Sequence, residues 1–223
     1  MKHFLRVALL SGLALPAAAQ TAKSRLNLPL KHELDSLYAV DQRYRAMLFD
    51  PRQSGNPDSL AAVLGVAKAE LNHTLVQRMQ QTDATNLARV QVLLKQYGYP
   101  GQSLVGTPTN EAAWNVIQHA PATIPQYLPL IKAAAEKGEL PFSRYAMMLD
   151  RQLMTGGQPQ LYGTQVMGYN GQAPFVWPIQ NAAQVNRRRK QAGFTTTVEQ
   201  YATQFGITYK AVTMEQVARM PKQ

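Results

Sequence analysis

The chain has 223 residues, a formal charge of +10 and no cysteine, which excludes a disulfide framework, a lipid-anchored cysteine and a cysteine nucleophile. That charge favours anionic partners in general. The basic residues are scattered except at Arg187-Arg188-Arg189-Lys190, with no aromatics interleaved, so nucleic acid is not an expected partner.

Residues 1–19, MKHFLRVALLSGLALPAAA, carry Lys2 and Arg6, an apolar run from Val7 to Leu15, and the small-residue pattern Ala17-x-Ala19. This reads as a secretory leader cleaved before Gln20, because the run is too short to span a bilayer. The expected product is a periplasmic or secreted protein with no membrane span. Residues 20–33 read as a tail, and 34–223 as one α-rich domain of a size that builds a core without staples.

Apolar spacing at Leu34, Leu37, Tyr38, Tyr44 and Leu48 predicts the first helix, and Asp50-Pro51 with Ser54-Gly55-Asn56-Pro57 predicts a loop. A second helix is expected over about 59–81, and a third from Thr82 or Asp83 to Gly98, where Tyr99-Pro100-Gly101 forbids continuation. Thr107-Pro108 predicts the next start, with further helices over about 124–137 and 142–154. Between about 160 and 179, Asn170-Gly171 between β-forming segments predicts a small hairpin with a second strand held to an edge by Pro174 and Pro178. Short helices from about Ala182, Val198 and Met214 close the chain. The fold class is mainly α, with one small late β-hairpin.

At about 100° per residue, Asp41 and Arg45 fall between Leu37, Tyr44 and Leu48 on one side and Leu34 and Tyr38 on the other. They point inward, so they must pair or line a polar cavity, and their i, i+4 spacing lets them pair with each other. Asp150 likewise projects between Ala146 and Leu153 on one flank and Met147 and Met154 on the other, with Arg151 beside it. A covered carboxylate needs an arginine or several N–H donors. His119 borders the wet arc of Glu111, Asn115 and Gln118, where an imidazole reaches a cleft and where an ordinary boundary histidine also sits.

With Asn170 and Gly171 at the centre of the turn, Tyr162, Thr164 and Val166 are expected opposite Ile179, Trp177 and Phe175. Tyr162 and Thr164 then carry hydroxyls inward, Gln165 shares the other face, and Gly163 permits close backbone approach. The run Gln160-Leu161-Tyr162-Gly163-Thr164-Gln165 supplies partners for the inward ionisable groups.

Asp41-Gln42-x-x-Arg45, Gly98-Tyr99-Pro100, Val105-Gly106, Gln118-His119-Ala120, Asp150-Arg151 and Gln160-Leu161-Tyr162-Gly163-Thr164-Gln165 occur in an order that resembles a bacterial family known as domain of unknown function six-six-two-four. The resemblance covers about residues 34–195, with Tyr99 where the family often has tryptophan. It implies an exported or cytosolic bacterial protein of no established activity, whose matching polar positions are those turned inward or to a margin.

Three functional readings stay open. In the first, His119, Asp150 and Arg151 form a catalytic cleft, with Gln118, Gln160, Tyr162, Thr164, Gln165, Asp41 and Arg45 as ligand-binding groups, and His119 acts as general base toward a small polar or anionic ligand of cell-envelope origin. In the second, the same groups, with exposed aromatics such as Tyr169, bind a partner without chemistry. In the third, Asp41 with Arg45, and Asp150 with an arginine, are buried ion pairs that fix helix register. No G-x-S-x-G or S-x-x-K nucleophile occurs. His32, His73 and His119 have no paired metal-ligand spacing, so neither a metal nor another cofactor is expected.

Overall fold

The computed structural model describes residues 25–168 and 173–220. The leader, Tyr169 and the Asn170-Gly171 turn lie outside the described residues. Among those described are eleven α-helices and one two-stranded antiparallel sheet. None of these helices is long and apolar enough to cross a membrane.

Helix α1 (Leu28–Phe49) starts inside the stretch expected as a tail, because Asn27 caps it by accepting from the Leu30 N–H. Helix α2 (Pro51–Ser54) occupies the segment expected as a loop, and α3 (Pro57–Leu64) begins at the end of that segment and covers the start of the expected second helix; each is opened by an Asx cap and a proline. Gly65, at φ +68°, ends α3 in the left-handed conformation. The expected second and third helices are therefore divided differently. After a short 3₁₀ turn at Lys68–Glu70, α4 runs unbroken over Leu71–Tyr97, since no glycine or proline interrupts it and Thr82-Asp83 lies in its interior.

Helix α5 (Gln102–Val105) and a 3₁₀ turn at Thr109–Glu111 lead into α6 (Ala112–Gln118). Then follow α7 (Ile124–Glu136) and α8 (Phe142–Thr155), close to their expected bounds. The hairpin strands are β1 (Val166–Met167) and β2 (Phe175–Val176). The last helices are α9 (Val185–Gln191), α10 (Val198–Thr203) and α11 (Met214–Ala218).

The main core gathers Val90 and Leu94 of α4, Trp114 and Ile117 of α6, Ile131 of α7 and Met148 of α8. Leu30 and Leu34 of α1 pack with Leu93 and Val105 in an adjoining cluster. Val176, Val185, Val198 and Ala202 tie the hairpin to α9 and α10. Helices α1, α4, α6 and α8 thus carry the polar residues of interest, and the apolar clusters fix how those helices meet.

The hairpin register is one residue from that expected: Val166 pairs with Val176 and Met167 with Phe175. Trp177 donates its N–H to the Gln165 carbonyl, so Gln165 and not Thr164 lies across from it. The ladder is short because residues 160–165 leave the strand path to wrap a buried carboxylate.

Candidate functional site

Helix α1 continues its apolar stripe, Leu30, Leu34 and Leu37, directly into Asp41, which is 1% exposed. The carboxylate is held from three sides. Its Oδ2 accepts from the Gln42 amide at 2.7 Å, and its Oδ1 lies 3.3 Å from Arg45 Nη1 and 3.0 Å from His119 Nδ1. Arg45 Nη1 also donates to the Asp41 carbonyl at 2.7 Å, and its Nη2 pairs with Asp83 Oδ2 of α4 at 2.7 Å. Charge in the cluster is shared along the order His119, Asp41, Arg45, Asp83.

His119 takes this position because α6 stops there. It is the C-cap residue, its N–H returning to the Asn115 and Val116 carbonyls, and Pro121 two residues on blocks a further turn. A carboxylate at Nδ1 selects the tautomer with the proton on that nitrogen, which leaves the Nε2 lone pair outward in the neutral ring. No described residue bonds Nε2, and the side chain keeps 17% of its surface exposed. The arrangement has the geometry of an oriented general base.

Asp41, Asp83 and His119 each offer one ligand atom, and these atoms lie within 4.8 Å of one another. No spacing along the chain suggests such a set. Arg45, however, already bonds both carboxylates, so the cluster contains its own counter-cation. A metal ion has to displace that guanidinium to bind. Beside the cluster, a groove of about 360 Å³ between α1 and α4 is lined by Tyr44, Arg78 and others, and by Val40 and Thr82, the chain neighbours of Asp41 and Asp83.

Asp150 of α8 is wholly buried and forms a second cluster. Of the two expected means of compensation, an arginine or several N–H donors, the structure has the second. Oδ1 accepts from the Leu161 N–H at 2.7 Å and the Tyr162 N–H at 3.0 Å, and Oδ2 from the Thr164 N–H at 3.1 Å and hydroxyl at 2.9 Å. Burial pushes Asp150 above the usual carboxylate range, and these bonds oppose it. Every contact to its oxygens is a donor, so the ionised form is the one the cage fits.

Carbonyls of the same loop meet cations. Arg188 Nε donates to the Leu161 carbonyl at 2.7 Å and Arg189 Nη1 to the Tyr162 carbonyl at 2.9 Å. Arg189 is 1% exposed and stacks on Phe194 and Tyr201. The basic run on α9 is thus partly spent inside, not only on its helix end. Gln160 closes the loop: its amide donates to the Gln165 and Trp177 carbonyls, while its Oε1 accepts from the Gln165 N–H. Gln165 Nε2 donates to the Met147 carbonyl and to Thr164 Oγ1. At Gly163, φ is +69° and a Cβ would lie 2.7 Å from Val198 Cγ2, so glycine is required there.

The two clusters meet at one point. Arg151, next to Asp150 on α8, donates from Nη1 to the carbonyl of Gln118, the residue before His119, at 3.2 Å. Hence Asp41, Arg45, Gln118, His119 and Arg151 share the α1/α6/α8 boundary. Gln160, Thr164 and Gln165 bond within the interior loop instead. Tyr162 serves through its backbone, with its ring tilted against Phe194 at 6.3 Å.

The Family of unknown function (DUF6624) matches residues 63–211. The chain belongs to this family. The match takes in Asp83, His119, Asp150, Arg151 and the 160–165 loop, while Asp41 and Arg45 precede it. No curated protein and no solved structure matches the chain.

Sequence reasoning missed Asp83, Gln42, Arg188 and Arg189. Asp83 carries a usable signal, because it lies three and seven residues before Asn86 and Val90 on the buried stripe of α4, although Thr82-Asp83 also has the form of a helix start. Asp150→Asn turns an amide N–H toward N–H and O–H donors. It is expected to lower the unfolding free energy by about 2–4 kcal/mol in urea denaturation. A loss under about 1 kcal/mol contradicts the cage.

Proposed function

We propose that this DUF6624 protein is an exported bacterial protein in which His119, oriented by Asp41, works as the general base of a small polar site at the α1/α6/α8 boundary. The observation that carries this reading is the 3.0 Å contact of His119 Nδ1 with a carboxylate that is itself buried and locked by Arg45 and Gln42. A histidine that merely satisfies itself at a helix end does not need a carboxylate that costs several kcal/mol to desolvate. Burial of ionisable groups beside a partly open imidazole is the pattern that functional sites favour.

The chemistry this supports is activation of a water or hydroxyl at Nε2, with hydrolysis or group transfer on a small polar ligand as the reaction class. Asp41 orients and stabilises the imidazolium that forms, and Arg45 with Asp83 keeps Asp41 in place. Asp150 and the 160–165 loop are positioning groups, since both carboxylate oxygens are filled by loop donors. Export is supported by the basic, apolar and Ala-x-Ala order of residues 1–19, and fits a ligand of cell-envelope origin.

A thermal-shift screen of polar envelope metabolites and muropeptide fragments is expected to return compounds that raise the Tm of the mature chain. In His119→Asn the amide nitrogen stands near the Nδ1 position, so the variant stays folded while turnover of a hit, followed by mass spectrometry, is lost. Unchanged turnover contradicts the general-base role. Equal loss of affinity and turnover replaces it with a binding module. N-terminal sequencing of the protein from its native host is expected to begin at Gln20, and recovery of the intact chain from the cytosol contradicts export.

A further inference from the structure

The covered arginines of this chain differ in one respect. Arg189, the most buried, places Nε, Nη1 and Nη2 on the Thr196 carbonyl, the Tyr162 carbonyl and Thr196 Oγ1. Arg188 uses all three nitrogens on the Leu161, Gln180 and Asn181 carbonyls. Arg45 has two carboxylates. Arg151 has one carbonyl at 3.2 Å, and its buried Nε has no partner.

Nor does Arg151 have a counter-charge. All 13 Asp and Glu residues of the chain are among the described residues, and none makes an ion pair with it. Its neighbour Asp150 has both oxygens engaged by the loop. Burial lowers the Arg151 pKa from its ordinary value, opposed by Tyr201, the phenol nearby. Arg188 and Arg189 bond carbonyls of the loop that cages Asp150. A partly desolvated cation without a counter-charge costs free energy that a structural role does not return.

We propose that Arg151 anchors an oxyanion of the ligand, a carboxylate or a phosphate, beside His119. Resting on the reading of His119 as the base, this names the ligand class of that site. The planar fork of a guanidinium binds either oxyanion through paired N–H donors, and Arg151 has donors left over for it. Its bond to the Gln118 carbonyl places it one residue along the chain from His119, so the anchored ligand sits in the neighbourhood of the imidazole. The competing role, a cation on the C-terminal carbonyls of α6, makes the opposite prediction for stability.

The test compares the wild-type chain with Arg151→Gln, Arg151→Lys and His119→Asn by thermal shift and calorimetric titration at constant ionic strength. The probes are inorganic phosphate and acetate, with chloride as the control. In the absence of oxyanion, Arg151→Gln is expected to keep or raise the Tm, because it removes an uncompensated charge. A fall of several degrees there identifies a helix-capping arginine and overturns the proposal. Phosphate or acetate is expected to raise the wild-type Tm, Arg151→Gln to abolish that rise, and Arg151→Lys to retain part of it. The probe that binds more tightly tells which oxyanion the site prefers. A rise that survives in Arg151→Gln, or no rise in the wild type, overturns the anchor and leaves the His119 reading intact. A rise that depends on Arg151, in a protein whose turnover survives His119→Asn, keeps the anchor and removes the base.

Discussion

A carboxylate taken out of water must be given back its hydrogen bonds, and this molecule meets that requirement twice. At Asp41 the compensation comes from side chains of α1 and from His119 at the end of α6, and Arg45 reaches on to Asp83, which ties α1 to α4 as well. At Asp150 it comes from the backbone of one loop. The difference decides what each site is able to do. A cage of backbone donors is saturated and rigid, whereas a side-chain network that ends on an imidazole has a free end.

The loop at 160–165 shows how a short polar run builds a polarised layer. The N–H groups of Leu161, Tyr162 and Thr164 face Asp150 while the Leu161 and Tyr162 carbonyls face Arg188 and Arg189, so the peptide joining Leu161 to Tyr162 lies between opposite charges. Gln160 replaces missing ladder bonds with its own amide, and Gly163 lets the chain pass against Val198 and Ile179 without a side chain. This layer holds α8, the hairpin and α9 together and sets where Arg151 emerges toward α6.

Much of this was legible in the sequence, for a definite reason. Helical geometry alone turns Asp41, Arg45 and Asp150 inward, because the apolar residues on either side leave no other direction, and the proline and glycine signals place α7 and α8 closely. The parts that were not legible depend on tertiary partners. Asp83 reads as a cap only until α4 is seen to run through it, and nothing local shows that Arg45 reaches it. The hairpin register is set by how the loop wraps Asp150, not by alternation, so a pairing counted from Asn170-Gly171 comes out one residue away. Arg188 and Arg189 look like end-of-helix cations, and their inward path follows from loop carbonyls that no periodicity reveals.

The proposed chemistry depends on the state of one imidazole. Long-range ¹H–¹⁵N correlation spectra of the histidine rings in the wild type and in Asp41→Asn report which nitrogen of His119 carries the proton. The geometry predicts a proton on Nδ1 in the neutral ring, with Nε2 as the lone-pair nitrogen, and a changed tautomer balance once the Asp41 carboxylate is gone. A neutral His119 protonated on Nε2, with a spectrum that Asp41→Asn leaves untouched, contradicts it.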